Sequence, residues 1–121
     1  MKRDMDLIRA MLLQVEAHPH GRAPDKIEIA GYTEEQINFH AFLLVEAGLA
    51  EGFEVTNSCS NSPEAIINRL TWTGYEFLDS ARNDGIWNKA KTTIINKLGG
   101  ASFVVLTALL TAFTKEQVGL K

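Results

Sequence analysis

A single cysteine, Cys59 in the polar stretch NSCSNSPE, rules out an intramolecular disulfide and suits a reducing compartment, so the cytoplasm is the expected location. Long apolar runs are also missing. The most apolar stretch, Leu98 to Phe113, is 16 residues without a charge, and Gly99, Gly100, Ser102, Thr107 and Thr111 interrupt it. A spanning helix needs roughly 20 residues, so a core helix or a dimer-forming helix fits better than a membrane span. The N-terminus opens with positive charge, but Asp4 and Asp6 break any signal-peptide core and no small-residue cleavage site follows. Chemical signatures are equally scarce. Gly99-Gly100 lacks the Lys-Ser/Thr that completes a phosphate loop, and Ser80 has no base spaced to activate it. His18, His20, His40 and Cys59 share no recognised ligand spacing. No enzyme chemistry, metal or cofactor is therefore expected.

Basic residues are nearly absent from the middle of the chain. Residues 28–84 carry ten acidic side chains against only Arg69 and Arg82, whereas residues 85–121 carry five lysines against Glu116. A net charge of −3 thus hides an acidic centre and a basic C-terminal segment. What is plentiful is apolar side chain, at 45%, enough for one domain to build a core unaided.

Periodicity and capping signals place the elements. Met5, Ile8, Leu12 and Val15, widened by Leu7 and Met11, form one face of a helix over 4–17 that stops at His18 before Pro19. KIEIAGY alternates Ile27 and Ile29 with Lys26 and Glu28 and predicts a short strand. Thr33-x-x-Gln36 is a capping box with Tyr32 able to staple onto Ile37, and Gly48 is a C-terminal cap with Leu49 folding back, which predicts a helix over 33–47. GFEVTN and AIINRLTW form a hairpin around a polar loop. Thr73-x-x-Glu76 is a second capping box, with Trp72 and Phe77 at stapling positions, so a helix begins at Thr73 with Gly74 leaving room for a close backbone approach. Ile86, Ala90, Ile94 and Leu98 mark a helix near 85–98 ended by Gly99-Gly100, and Ser102 caps a last helix to about Val118.

Helix, short strand, helix ending in EAGLAEG, hairpin, then a strand entering a helix as LTWTGYEFL is an order that resembles the winged-helix repressor superfamily. Four blocks, MKRDMDLIR, YTEEQINFHAFLLVEAGLAEG, RLTWTGYEFLDSARNDGIWNKAK and GGASFVVLTALL with a final VGL, are similar to an uncharacterised family of small bacterial and prophage-associated proteins. The resemblance implies a fold and a mobile-element setting, and no catalytic residues. The expected architecture is α+β: a degenerate winged-helix domain over 1–83, and C-terminal helices over 84–121 that pack on it or form a dimer interface.

A winged helix would present helix 33–47 to DNA, with Gln36, Asn38 and His40 able to reach bases and Arg69 to reach phosphate. The charges oppose this, because phosphate contacts supply much of such affinity, yet the helix starts with Glu34-Glu35 and the hairpin loop has no basic residue. The positioning helix of a helix-turn-helix is also missing. Helix 33–47 is apolar nearly all round, with Ile37, Ala41, Leu44 and Val45 on one side and Phe39 and Phe42 opposite, so the C-terminal helix or a partner is expected to cover those two rings. Phe103, Leu106, Leu110 and Phe113 form the candidate interaction face of the last helix, while Thr33, Gly48, Trp72, Thr73 and Glu76 are read as architectural. The expectation is a non-enzymatic interaction or regulatory module that works through protein contacts or self-association. A dimeric winged-helix DNA-binding regulator is the alternative.

Overall fold

The computed structural model describes residues 1–98 and 102–119. Their order is α1 (Met5–Ala17), α2 (Glu34–Glu46), β1 (Ala50–Glu54), β2 (Ala65–Leu70), α3 (Trp72–Ala81), α4 (Asp84–Leu98) and α5 (Phe103–Gln117), and β1 and β2 form a two-stranded antiparallel sheet. The class is α+β. Among the described residues no helix is long and apolar enough to cross a membrane. Gly99-Gly100, expected to end α4, lies outside the described residues, as does the side chain of Leu98.

Each of the first two helices starts where a side chain satisfies orphan backbone donors. Asp4 caps α1, its Oδ1 accepting from the amides of Asp6 at 2.9 Å and Leu7 at 3.2 Å. The expected stripe faces inward, with Leu7, Ile8, Met11, Leu12 and Val15 all buried. Thr33 and Gln36 complete the capping box of α2 in both directions. At its other end Gly48 takes φ +75°, and the amides of Gly48 and Leu49 donate to the carbonyls of Val45 and Leu44. That pair of bonds is a Schellman turn, and it returns Leu49, 3% exposed, to the core.

Residues 26–32 form no strand, contrary to the alternation of their side chains. Ile27 and Ile29 are half-buried while Lys26 and Glu28 are exposed, so the period-two burial is present without a ladder. Gln14 of α1 explains this. Its side-chain amide donates to the Glu28 carbonyl at 2.9 Å and accepts from the Glu28 amide at 3.1 Å, replacing a neighbouring strand. A single bond from the Ala23 amide to the Asn68 carbonyl, 2.8 Å, ties this loop to β2.

The chain divides into two compact units, Met1–Glu76 and Phe77–Lys121, with the boundary inside α3. In the first unit Leu7, Met11, Leu12, Leu44 and Leu70 are almost fully buried, each contributing about 1.5–3 kcal/mol of hydrophobic stabilisation. In the second, Phe77 meets Trp87 edge-on at 6.3 Å and Phe103 at 5.1 Å, and Ile94, Leu106 and Leu110 are buried. Asn83 caps α4 through the Ile86 amide at 2.9 Å, and Ser102 caps α5 through the Val105 amide at 3.2 Å.

The joint between hairpin and α3 differs from its expected form. The capping residue is Thr71, two positions before Thr73: Thr71 Oγ1 accepts from the Gly74 amide at 3.0 Å, and the Thr71 carbonyl accepts from the Tyr75 amide at 3.0 Å. Trp72 is not a staple. It is 80% exposed, and its indole N–H donates to Glu76 Oε1. Long-range contacts select this register, because Thr71 Oγ1 also donates to the Gly48 carbonyl at 2.6 Å and the Thr71 amide donates to the Leu49 carbonyl at 3.1 Å.

Candidate functional site

The surface a winged helix would offer to DNA is built from the start of α2 and the loop between β1 and β2. Here these two parts are latched together by carboxylates. Ser62 Oγ donates to Glu35 Oε2 at 2.8 Å, Ser60 Oγ to Glu64 Oε1 at 2.9 Å, and Asn38 Nδ2 to Glu64 Oε2 at 3.5 Å. Within the loop, Asn57 Oδ1 accepts from the Cys59 amide at 2.8 Å and Thr56 Oγ1 from the Glu64 amide at 3.0 Å, so the loop is held by its own side chains. Between loop and helix lies a cleft of about 310 Å³, lined by Glu34, Glu35, Glu64, Asn38 and Cys59 among others. Its charge is wholly acidic, which opposes phosphate.

The four residues expected to be able to touch nucleic acid all have partners within the chain. Gln36 closes the capping box through the Thr33 amide at 2.8 Å, and Asn38 reaches Glu64. Arg69 pairs with Glu51 across the hairpin and donates to the Leu70 carbonyl at 3.0 Å. His40 is the largest departure. Expected among the residues able to reach bases, it is 1% exposed, with Phe39 edge-on to it at 5.7 Å. Its Nε2 lies 2.8 Å from the Asp4 amide and its Nδ1 2.8 Å from the Gln36 carbonyl. An amide can only donate, so Nε2 accepts and the ring proton sits on Nδ1, where it donates to Gln36.

Asp4 is the hub that sequence reasoning missed. It caps α1 with Oδ1, donates its amide to His40, and accepts the Tyr32 hydroxyl on Oδ2 at 2.9 Å. The Tyr32 hydroxyl therefore ties the residue before the α2 cap to the start of α1. An acidic residue ahead of an apolar stripe signalled the cap, but the two long-range bonds had no local signal. Burial first, then the hydrogen bond to Asp4 and the negative charges of Asp4 and Asp6, raise the Tyr32 phenol above its ordinary value. The native state thus keeps this proton to higher pH than the unfolded chain does. Stability from this source is complete below pH about 10, where the unfolded phenol titrates, and is lost as pH rises beyond it. Tyr32→Phe is expected to cost about 1 kcal/mol at neutral pH and to flatten the decline in urea midpoint between neutral pH and pH about 11. An unchanged alkaline slope in the variant would assign that slope to other groups.

The apolar side chains expected to form interaction faces are used in different ways. Phe39 and Phe42 are half-buried and stacked on each other, centroids 6.4 Å apart and planes within 12°. Leu106 and Leu110 are fully buried, Phe103 meets Phe77, and Lys89 Nζ sits 4.3 Å from the Phe113 ring centre. That face of α5 is interior to its unit. The outward stripe is the opposite one, in which Val104, Ala108, Thr111, Ala112 and Lys115 are exposed. His18 and His20 have ring centres 5.5 Å apart, Cys59 is exposed in the hairpin loop, and among the described residues no group of three or more His, Cys, Asp or Glu could hold a metal ion.

Comparison with known proteins adds kinship without chemistry. A family model described as "Hypothetical protein (DUF2513)" matches residues 2–101, and α5 follows the matched stretch. A Haemophilus influenzae protein described as an uncharacterized protein is 42% identical over 100 residues, which is 80% of this chain and 81% of that one. No solved structure matches. The match over most of its length, and the relative of nearly equal extent, show that the chain belongs to the DUF2513 family of small bacterial proteins.

Proposed function

We propose that this protein is a non-enzymatic interaction module of a bacterial or phage system, working through protein contacts that include self-association along α5. The outward stripe of α5 carries the reading. Val104 is 80% exposed, and Ala108, Thr111 and Ala112 continue the same face with Lys115 as its single charge. The threonines do not make it polar in the usual way, because Thr107 Oγ1 donates to the Phe103 carbonyl at 2.7 Å and Thr111 Oγ1 to the Thr107 carbonyl at 2.9 Å. A helix apolar on its inner face and nearly so on its outer one gains by being covered, and small residues let a second helix come close.

A second reading, a winged-helix DNA-binding regulator, is favoured by the order helix, helix, hairpin, helix. Against it stand the carboxylates at the α2–loop cleft and the engagement of Gln36, Asn38, His40 and Arg69. Sedimentation equilibrium with and without a labelled duplex separates the two. We expect a concentration-dependent dimer that Ala108→Glu converts to monomer with unchanged circular dichroism, and no co-sedimenting DNA at low salt. A monomer at millimolar concentration removes the self-association, and steeply salt-dependent duplex binding would establish the second reading.

A further inference from the structure

From the first turn of α3 we infer that the face formed by Trp72, Tyr75 and Glu76 is an anchor for an arginine-bearing segment of a protein partner. The inference rests on the protein-contact reading above and names the chemistry of one such contact. Trp72 is the most unusual side chain on the surface: a large apolar ring left 80% exposed in a chain that buries Trp87 to 2%. Tyr75, one turn on along the same helix face, is 39% exposed. Tryptophan and tyrosine are the residues that most often carry binding energy when a partner covers them.

The ring is also held in position. Its indole N–H donates to Glu76 Oε1 across one helical turn, which fixes the ring before any partner arrives and lowers the ordering cost of binding. Glu76 Oε2 has no hydrogen-bond partner among the described residues. The face therefore offers an aromatic plane and a carboxylate oxygen side by side. A guanidinium matches both, stacking flat on the indole while donating to the carboxylate, where an ammonium could meet only one well. Charge selects the same partner class, since residues 28–84 carry ten acidic side chains against two basic ones and Arg69, the nearer of those two in sequence, is already paired with Glu51. An acidic aromatic face repels nucleic acid and attracts a basic protein segment.

The test uses the full-length protein labelled with nitrogen-15 and titrated with a synthetic Arg-Gly repeat peptide, then with the same peptide carrying citrulline in place of arginine. The Trp72 indole N–H is expected to shift saturably with the arginine peptide while that of buried Trp87 stays in place. Citrulline should bind far more weakly. Glu76→Gln keeps an oxygen for the indole but removes the charge, and Trp72→Ala removes the plane; each should weaken binding at least about tenfold, read at the amides of Thr73 and Tyr75. Equal shifts from the citrulline peptide, or unchanged affinity in Trp72→Ala, overturn the proposal. If the peptide fails while α5-dependent dimers persist in sedimentation, this anchor alone is wrong. Failure of both removes the protein-contact reading as well.

Discussion

Gly74→Ala is expected to lower the thermal midpoint by about 10 °C or more, corresponding to about 3 kcal/mol, the upper range for forcing an atom into a packed site. A Cβ at residue 74 would lie 1.9 Å from the Leu49 carbonyl oxygen and 3.0 Å from its carbon. Both are backbone atoms, so no side chain can rotate away. The Leu49 carbonyl is itself the acceptor for the Thr71 amide, and the Gly74 amide is capped by Thr71, so any shift that makes room breaks the joint's own bonds. Alanine's better helix propensity, worth about 1 kcal/mol over glycine, recovers only part of this. Two companion variants locate the cap. Thr71→Ala should cost about 1–2 kcal/mol, since it loses the bond to the Gly74 amide and the one to the Gly48 carbonyl. Thr73→Ala, at an exposed position outside the cap, should stay within about 0.5 kcal/mol. The reverse order in a urea titration would place the cap at Thr73 after all.

The same joint shows what the sequence can reveal and where it stops. Helix α2 is legible from both ends because its signals are local: Thr33 and Gln36 need only each other, and Gly48 needs only a positive φ. The stripes of α1 and α4 are legible because burial follows helical period. At α3, Thr71 and Thr73 are both threonines able to cap. The choice falls to Thr71 because Gly74 must pass over Leu49, a residue more than 20 positions earlier that no local pattern indicates. Residues 26–32 fail for a similar reason. The alternation of Ile27 and Ile29 with Lys26 and Glu28 does mark alternating burial, but a ladder needs a neighbouring strand, and Gln14 occupies that role. The candidate surface follows suit. Acidic composition around α2 and the hairpin is plain in the sequence, whereas the latch of Glu35 and Glu64 onto the loop, and the exposure of Trp72, belong to tertiary structure.

His40→Ala should be the most damaging change within the polar network, at about 3 kcal/mol or more, because it combines a cavity with a lost acceptor. The ring is 1% exposed, and the Asp4 amide it accepts from sits at the very start of α1. His40→Phe separates the two contributions. It keeps most of the ring volume but leaves the Asp4 amide without its acceptor and the Gln36 carbonyl without the ring N–H, so its cost, about 1–3 kcal/mol, measures these two hydrogen bonds together, and the remainder of the alanine effect measures the cavity. Nitrogen-15 spectra of the native protein should show the proton on Nδ1, because Nε2 accepts from the Asp4 amide. Because Tyr32 meets the same Asp4 through Oδ2, the double variant Tyr32→Phe/His40→Phe is expected to cost less than its parts together by about 0.5 kcal/mol or more. Once one tie to Asp4 is cut, the N-terminus of α1 loosens and the other tie holds less. Strict additivity would mean that Asp4 is fixed by its capping bonds to Asp6 and Leu7 alone, and that the histidine and tyrosine grip it independently.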